Sequence, residues 1–98
     1  MIYKLLISYD INKKDEDKRN TIKSYLKDEK NHQKWVHLQG SFWVVLSRID
    51  SKTKFDKLFA FLPNSSVAVV DITNKKIEYD DISEESASNG RVILGSDF

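Results

Sequence analysis

The sequence contains no cysteine, which excludes disulfides and thiolate-bound metal ions. It has only three glycines, and they do not form a phosphate-cradling loop. No apolar run approaches the roughly 18 residues that cross a bilayer. The first residues lack the long apolar segment and the cleavage site of a signal peptide. We therefore expect a cytoplasmic protein without a membrane partner.

Neither sign of charge dominates the chain. The chain has sixteen lysines and arginines and fifteen acidic residues, which gives a formal net charge of +1. Such a balance does not indicate nucleic-acid binding, although it leaves room for a local basic patch. The length of 98 residues and the 40% hydrophobic content are typical of one folded domain.

The first half of the domain is predicted to be a strand followed by a helix. Residues 2–10 form a nearly continuous apolar run, which is typical of a central strand. A polar loop follows, and Ile22, Tyr25 and Leu26 then give a helix a narrow apolar stripe. Asn31 is a candidate for the end of that helix.

The second half is predicted to be a hairpin, a helix and a last strand. Strands at about 34–38 and 42–48 are separated by a turn or bulge at Gly40, and one long bulged strand is the alternative. Asp50 or Ser51 can cap the next helix, and residues 66–73 form the last strand. The core face of that helix is predicted from four residues at helical spacing: Phe55, Leu58, Phe59 and Leu62.

This order of elements predicts a ferredoxin-like α+β fold. In the βαββαβ pattern, a four-stranded antiparallel sheet carries both helices on one face. We assign residues 1–73 to this domain and residues 74–90 to a polar linker. Residues 91–98 are expected to form an extra strand that pairs with its own sheet or with a dimer partner.

Asp10 is the sharpest functional candidate. A carboxylate at the end of a central strand can hold a hard cation, and Mg²⁺ needs only one or two carboxylates beside substrate phosphates. Because each chain brings one such acid, a paired site requires two chains. The alternative is that Asp10 accepts backbone hydrogen bonds in the following loop.

Other polar and aromatic residues favour structural roles. His32 sits in a predicted polar loop and His37 is expected to face a different layer from Trp35, so neither is expected to bind metal. The basic flank of the first helix could contact phosphates, but a solvated face is the more economical interpretation. Core or interface packing is likewise favoured over base stacking for three aromatic residues: Trp35, Phe42 and Trp43.

Three segments, "LISYDI", "DKRNTIKSYL" and "LQGSFWVV", resemble the CRISPR-associated protein 2 family. That family typically has a first strand ending in Tyr-Asp, an arginine in the first helix and a Ser-x-Phe type segment in the hairpin. "SYDIN" and "GSFWVV" are also similar to the SinR-like proteins, and the virulence-associated protein D toxins are relatives with the same fold. The resemblance covers residues 2–73.

The resemblance implies a homodimer whose two strand-end aspartates bind a divalent metal for phosphodiester hydrolysis. Asp10 would take the catalytic and metal-binding role, with Mg²⁺ or Mn²⁺ as the cofactor. The chain departs from the family in its longer loop before the first helix, its single helix arginine and its Trp43. Candidates for contact with nucleic acid are Tyr9, Lys18, Arg19, Lys23, Ser41 and Phe42.

Two functions follow from these expectations. The first is a metal-dependent endonuclease, with RNA as the expected substrate, that uses Asp10 from both chains. The alternative is a non-catalytic dimer that acts as a scaffold or as a toxin–antitoxin-type regulator and binds protein or nucleic acid.

Overall fold

The computed structural model describes residues 1–75, which form four strands and two α-helices. A six-residue 3-10 helix, Lys13–Lys18, precedes the first α-helix. The predicted strand at 91–98 and all but the first two residues of the predicted linker lie outside the described residues. The elements are β1 (Tyr3–Asp10), α1 (Arg19–Lys27), β2 (His32–Gln39), β3 (Phe42–Ser47), α2 (Ser51–Phe61) and β4 (Ser66–Asp71).

The sheet has the strand order β2-β3-β1-β4, and each neighbouring pair is antiparallel. β1 is central, with Ile7 opposite Trp43 of β3 and Val69 of β4. Both helices pack on one face of this sheet, where Ile22 of α1 and Leu58 of α2 join the same buried cluster. The predicted ferredoxin-like α+β arrangement is confirmed.

The hairpin between β2 and β3 turns at Gly40. Gly40 has a φ of +46°, in the left-handed region that favours glycine, and Ser41 completes the turn. The two strands are therefore separate, as predicted, rather than one long bulged strand. β2 begins two residues earlier than predicted, so His32 belongs to a strand and not to a polar loop.

The start of α2 is capped as predicted, whereas α1 ends earlier than predicted. The carboxylate of Asp50 accepts a hydrogen bond from the Thr53 backbone N–H at 2.8 Å, which caps the start of α2. After α1, the side-chain amide of Asn31 donates to the carbonyl of Tyr25 at 3.2 Å. The same carbonyl also accepts from the Asp28 backbone N–H at 3.4 Å. Because α1 ends at Lys27, four residues before Asn31, the predicted end of this helix is wrong.

The buried face of α2 is rotated from the predicted one. Leu58 and Leu62 are buried as expected, but Phe55 is 37% and Phe59 47% exposed. The two phenylalanine rings stack on each other with centroids 6.0 Å apart. Lys54 is buried instead, so the predicted four-residue core face is wrong for both phenylalanines.

The face of the sheet opposite the helices has its own apolar cluster. Val36, Leu38 and Val44 are buried there, and half-buried Leu6 and Phe42 pack against them. Because side chains alternate along a strand, Leu6 shares this face with Ser8 and Asp10 of β1. Neither α1 nor α2 is long and apolar enough to span a bilayer, and no other helix in residues 1–75 is.

Candidate functional site

Asp10 lies at the end of β1 and is exposed on the sheet face that the helices do not cover. Its register partner is Ser66, the first residue of β4. A shallow depression of about 170 Å³ lies beside it. The depression is lined by Ser8, Tyr9, Asp10, Ser66, Val67 and Ala68.

The carboxylate of Asp10 has no hydrogen bond or ion pair with any other residue of the described range 1–75. The alternative role predicted for it, fixing the loop after β1, is performed by its neighbours. The side-chain oxygen of Asn12 accepts a hydrogen bond from the Lys14 backbone N–H at 3.0 Å and caps the 3-10 helix. Asp15, further along the same loop, makes the long-range contacts.

Asp15 links this loop to the turn before β4. Its buried carboxylate accepts from the backbone N–H of Asn64 at 2.9 Å, from the Asn64 amide at 3.2 Å and from the Ser65 hydroxyl at 2.8 Å. The Ser65 oxygen in turn accepts from the Asn12 backbone N–H at 2.7 Å. Burial raises the pKa of Asp15, but the bonds from Ser65 and Asn64 outweigh it, so the pKa is lowered and the carboxylate is ionised at neutral pH.

Tyr9 and Ser41 support the end of β1 from the hairpin side. The Trp43 indole N–H donates to the Tyr9 hydroxyl oxygen at 3.2 Å, and Tyr9 is buried among the core residues. Burial raises the pKa of the Tyr9 hydroxyl. The Ser41 hydroxyl donates to the Tyr9 carbonyl, while the Tyr9 N–H donates to the Ser41 carbonyl at 3.3 Å. Both residues therefore hold the strand that carries Asp10.

The predicted basic contacts lie with the helices, on the other side of the sheet from the Asp10 carboxylate. Arg19 forms two hydrogen bonds with Glu16, at 2.9 and 3.1 Å. The Lys18 ammonium lies 4.0 Å from the Asp15 carboxylate. The structure therefore does not bring these cations to Asp10. Of the predicted contacts beyond the lining residues, Phe42 is the one on the same sheet face, opposite Ser8.

A metal ion at Asp10 would have few ligands from one chain. Residues 1–75 contain no group of three or more histidine, aspartate or glutamate side chains that could hold a metal ion. Among the residues that the structure describes, Asp10 is the only carboxylate that lines the depression, where Ser8 and Ser66 add hydroxyls. The residues therefore fit one half of a paired Mg²⁺ site, in which a second chain supplies the other carboxylate.

The two histidines have structural roles, as predicted. His32 is fully buried, and its Nδ1 lies 3.0 Å from the Leu26 carbonyl. His37 stacks on Trp43 with ring centroids 3.9 Å apart. The expectation that His37 and Trp35 face different layers is wrong, because residues two apart on a strand share a face and Trp35 also contacts Trp43.

Sequence reasoning missed the burial of three charged residues, Lys4, Asp15 and Lys54. The side chains of Asp15 and Lys54 form hydrogen bonds with other side chains. The partners of Asp15 lie 49 and 50 positions away, and those of Lys54 lie 22 and 29 positions away. No local spacing could have indicated either network. The one local indication is that Lys54 lies four residues before Leu58 and therefore shares its face of the helix.

Comparison with known proteins adds no relative: no protein-family model, curated protein or solved structure matches the chain. The resemblance to the CRISPR-associated protein 2 family therefore stays a prediction from the quoted segments.

Proposed function

We propose that this chain is a homodimeric, metal-dependent endonuclease of the CRISPR-associated protein 2 type that cleaves RNA. One observation carries the proposal. Asp10 is an exposed carboxylate at the end of the central strand, and no described residue engages it. The structural tasks that could explain an acid at this point belong to Asn12 and Asp15.

Asp10 of each chain would hold the cation from one side. Mg²⁺ or Mn²⁺, when bound, supplies an activated water and offsets charge on the scissile phosphate. The hydroxyls of Ser8 and Ser66 line the same depression and can donate hydrogen bonds to phosphate oxygens. Lys18, Arg19 and Lys23 would then contact the nucleic-acid backbone away from the cleavage centre.

The test compares cleavage by the wild type and by Asp10→Asn, which keeps the size of the side chain but removes its charge. With labelled RNA and DNA strands and Mg²⁺ or Mn²⁺, we expect the variant to lose cleavage of RNA at least 100-fold. Asp17→Asn is the matched control, because Asp17 is another exposed carboxylate without a described partner. Equal cleavage by wild type and Asp10→Asn would refute the proposal.

A mixing experiment tests whether two copies are needed. If each site uses Asp10 from both chains, mixed dimers of wild type and Asp10→Asn are inactive. Activity should then fall with the square of the wild-type fraction. A linear fall would show that each chain carries its own complete site.

A non-catalytic dimeric module is the second candidate. It is favoured by the pairing of Arg19 with Glu16 and of Lys18 with Asp15, which reduces the charge offered to phosphates. This candidate predicts a dimer that binds protein or nucleic acid without turnover. Retention of RNA in a gel-shift assay without any product in Mn²⁺ would favour it over the nuclease.

A further inference from the structure

Tyr25, His32 and Lys54 form a buried cluster at the opposite end of the sheet from Asp10. Tyr25 belongs to the last turn of α1, His32 begins β2 and Lys54 lies in the first turns of α2. Lys54 is 1% exposed and His32 is fully buried. The Lys54 ammonium donates to the Tyr25 hydroxyl oxygen at 2.6 Å and to His32 Nε2 at 2.9 Å. The cluster therefore joins three separate elements.

The hydrogen bonds define where the protons are. The Leu26 carbonyl can only accept, so His32 Nδ1, which lies 3.0 Å from it, carries the hydrogen. His32 Nε2 then carries no hydrogen, and its lone pair accepts a hydrogen bond from the Lys54 ammonium. The Lys54 nitrogen also lies 4.7 Å above the Tyr25 ring, which favours a cation. No carboxylate of residues 1–75 forms an ion pair with Lys54.

The surrounding charges add little compensation. Arg48 and Lys54 both act on His32 as neighbouring cations, and Lys57 acts on Lys54 in the same way. Asp28 is the carboxylate whose charge acts on His32 from the end of α1. Burial, followed by the charge of Lys54, lowers the pKa of His32 to about 3. His32 is therefore neutral in the folded protein at physiological pH.

Protonation of His32 is incompatible with this arrangement. It would turn the Nε2 acceptor into a donor, so that an imidazolium and an ammonium meet at 2.9 Å with no acceptor between them. Two buried like charges at that distance repel strongly, and neither can reach water unless α2 moves away from β2. We propose that Tyr25, His32 and Lys54 form a pH-sensitive clasp that holds α1, β2 and α2 together at neutral pH and opens when His32 takes up a proton.

The clasp predicts a specific acid sensitivity above the range in which carboxylates titrate. The unfolded chain takes up a proton at the ordinary histidine pKa of 6.5, whereas the folded chain does so near 3. The unfolding equilibrium constant should therefore rise about 30-fold between pH 7.5 and pH 5. Urea unfolding followed by circular dichroism measures this rise. His32→Gln, which keeps an acceptor for Lys54 but cannot titrate, should lose most of it.

The control is His37→Gln, which removes the only other histidine and should retain the 30-fold rise. The same rise in His32→Gln as in the wild type would overturn the proposal. An NMR titration of the wild type decides the question even where His32→Gln does not fold. The His32 ring resonances of the folded protein should then stay unchanged from pH 7.5 to pH 5, and a midpoint near 6.5 in the folded protein would overturn the clasp.

Discussion

Replacing Lys54 by methionine removes a buried ammonium while keeping most of the length of the side chain. Burial and the nearby Lys57 lower the pKa of Lys54 from 10.5 to about 8. The unfolded chain therefore holds this proton more tightly than the folded chain does. Because the unfolded state binds more protons between pH 8 and 10.5, the stability of the wild type must rise with pH through that window.

The size of the rise follows from the two pKa values. Between pH 7 and pH 9.5, the unfolding constant of the wild type should fall about 25-fold, which corresponds to about 2 kcal/mol of added stability. In Lys54→Met no proton is released in this range, so the rise should disappear. The range ends at pH 9.5 because burial raises the pKa of the hydroxyls of Tyr9 and Tyr25, and their ionisation in the unfolded chain opposes the trend at higher pH.

Urea unfolding at pH 7, 8, 9 and 9.5 measures the effect, with Lys52→Met as the matched control. Lys52 is a lysine of the same helix whose side chain is 85% exposed, so its replacement should leave the pH dependence of the wild type intact. Identical pH dependence in the wild type and in Lys54→Met would refute the reasoning. It would mean that the Lys54 ammonium reaches water in the folded protein.

Two further predictions test the packing of α2 and the loop beside Asp10. Leu58→Ala should lower the free energy of unfolding by about 2–4 kcal/mol, because Leu58 is fully buried, whereas Phe59→Ala should lower it by less than about 1 kcal/mol. Similar losses in the two variants would mean that Phe59 belongs to the core face, as predicted from the sequence. Ser65→Ala should cost about 1–2 kcal/mol, because the Ser65 hydroxyl takes part in two hydrogen bonds between distant segments. Ser66→Ala, next to it but exposed and without such bonds, should be nearly neutral and is the control.

The fold could be predicted from the sequence because its signals are local. Apolar spacing marked Ile22 and Leu26 as the buried stripe of α1, and both are fully buried. Gly40 marked the turn of the hairpin, and Asp50 capped α2 as expected. Each of these features depends on residues that are close to one another in the sequence.

The exposed face of α2 and the role of Asp15 could not be predicted in this way. A spacing rule assigns a lysine to solvent, but Lys54 is buried because Tyr25 and His32 accept its hydrogen bonds from other elements. Once Lys54 faces the core, the rotation of α2 leaves Phe59 outside. The carboxylate of Asp15 is likewise held by partners from the turn before β4, which lie 49 and 50 positions further along the chain.

Asp10 could be identified from the sequence as a candidate, but with two interpretations. Position alone favoured an acid that fixes the following loop over one that binds a cation, and the family resemblance then brought the two interpretations level. The contacts of Asn12 and Asp15 show which residues fix the loop, and this information exists only in three dimensions. The role of Asp10 in cleavage stays a prediction that its substitution tests.

The pair of tryptophans in the hairpin has a further use, as an optical reporter. Trp35 of β2 and Trp43 of β3 are the only tryptophans of the chain, and their ring centroids lie 5.7 Å apart. Indoles at that separation couple electronically, so their joint signal in the near-ultraviolet depends on the pairing of β2 with β3. The tryptophan signal can therefore follow the hairpin during unfolding, while far-ultraviolet circular dichroism follows the helices of the same molecule.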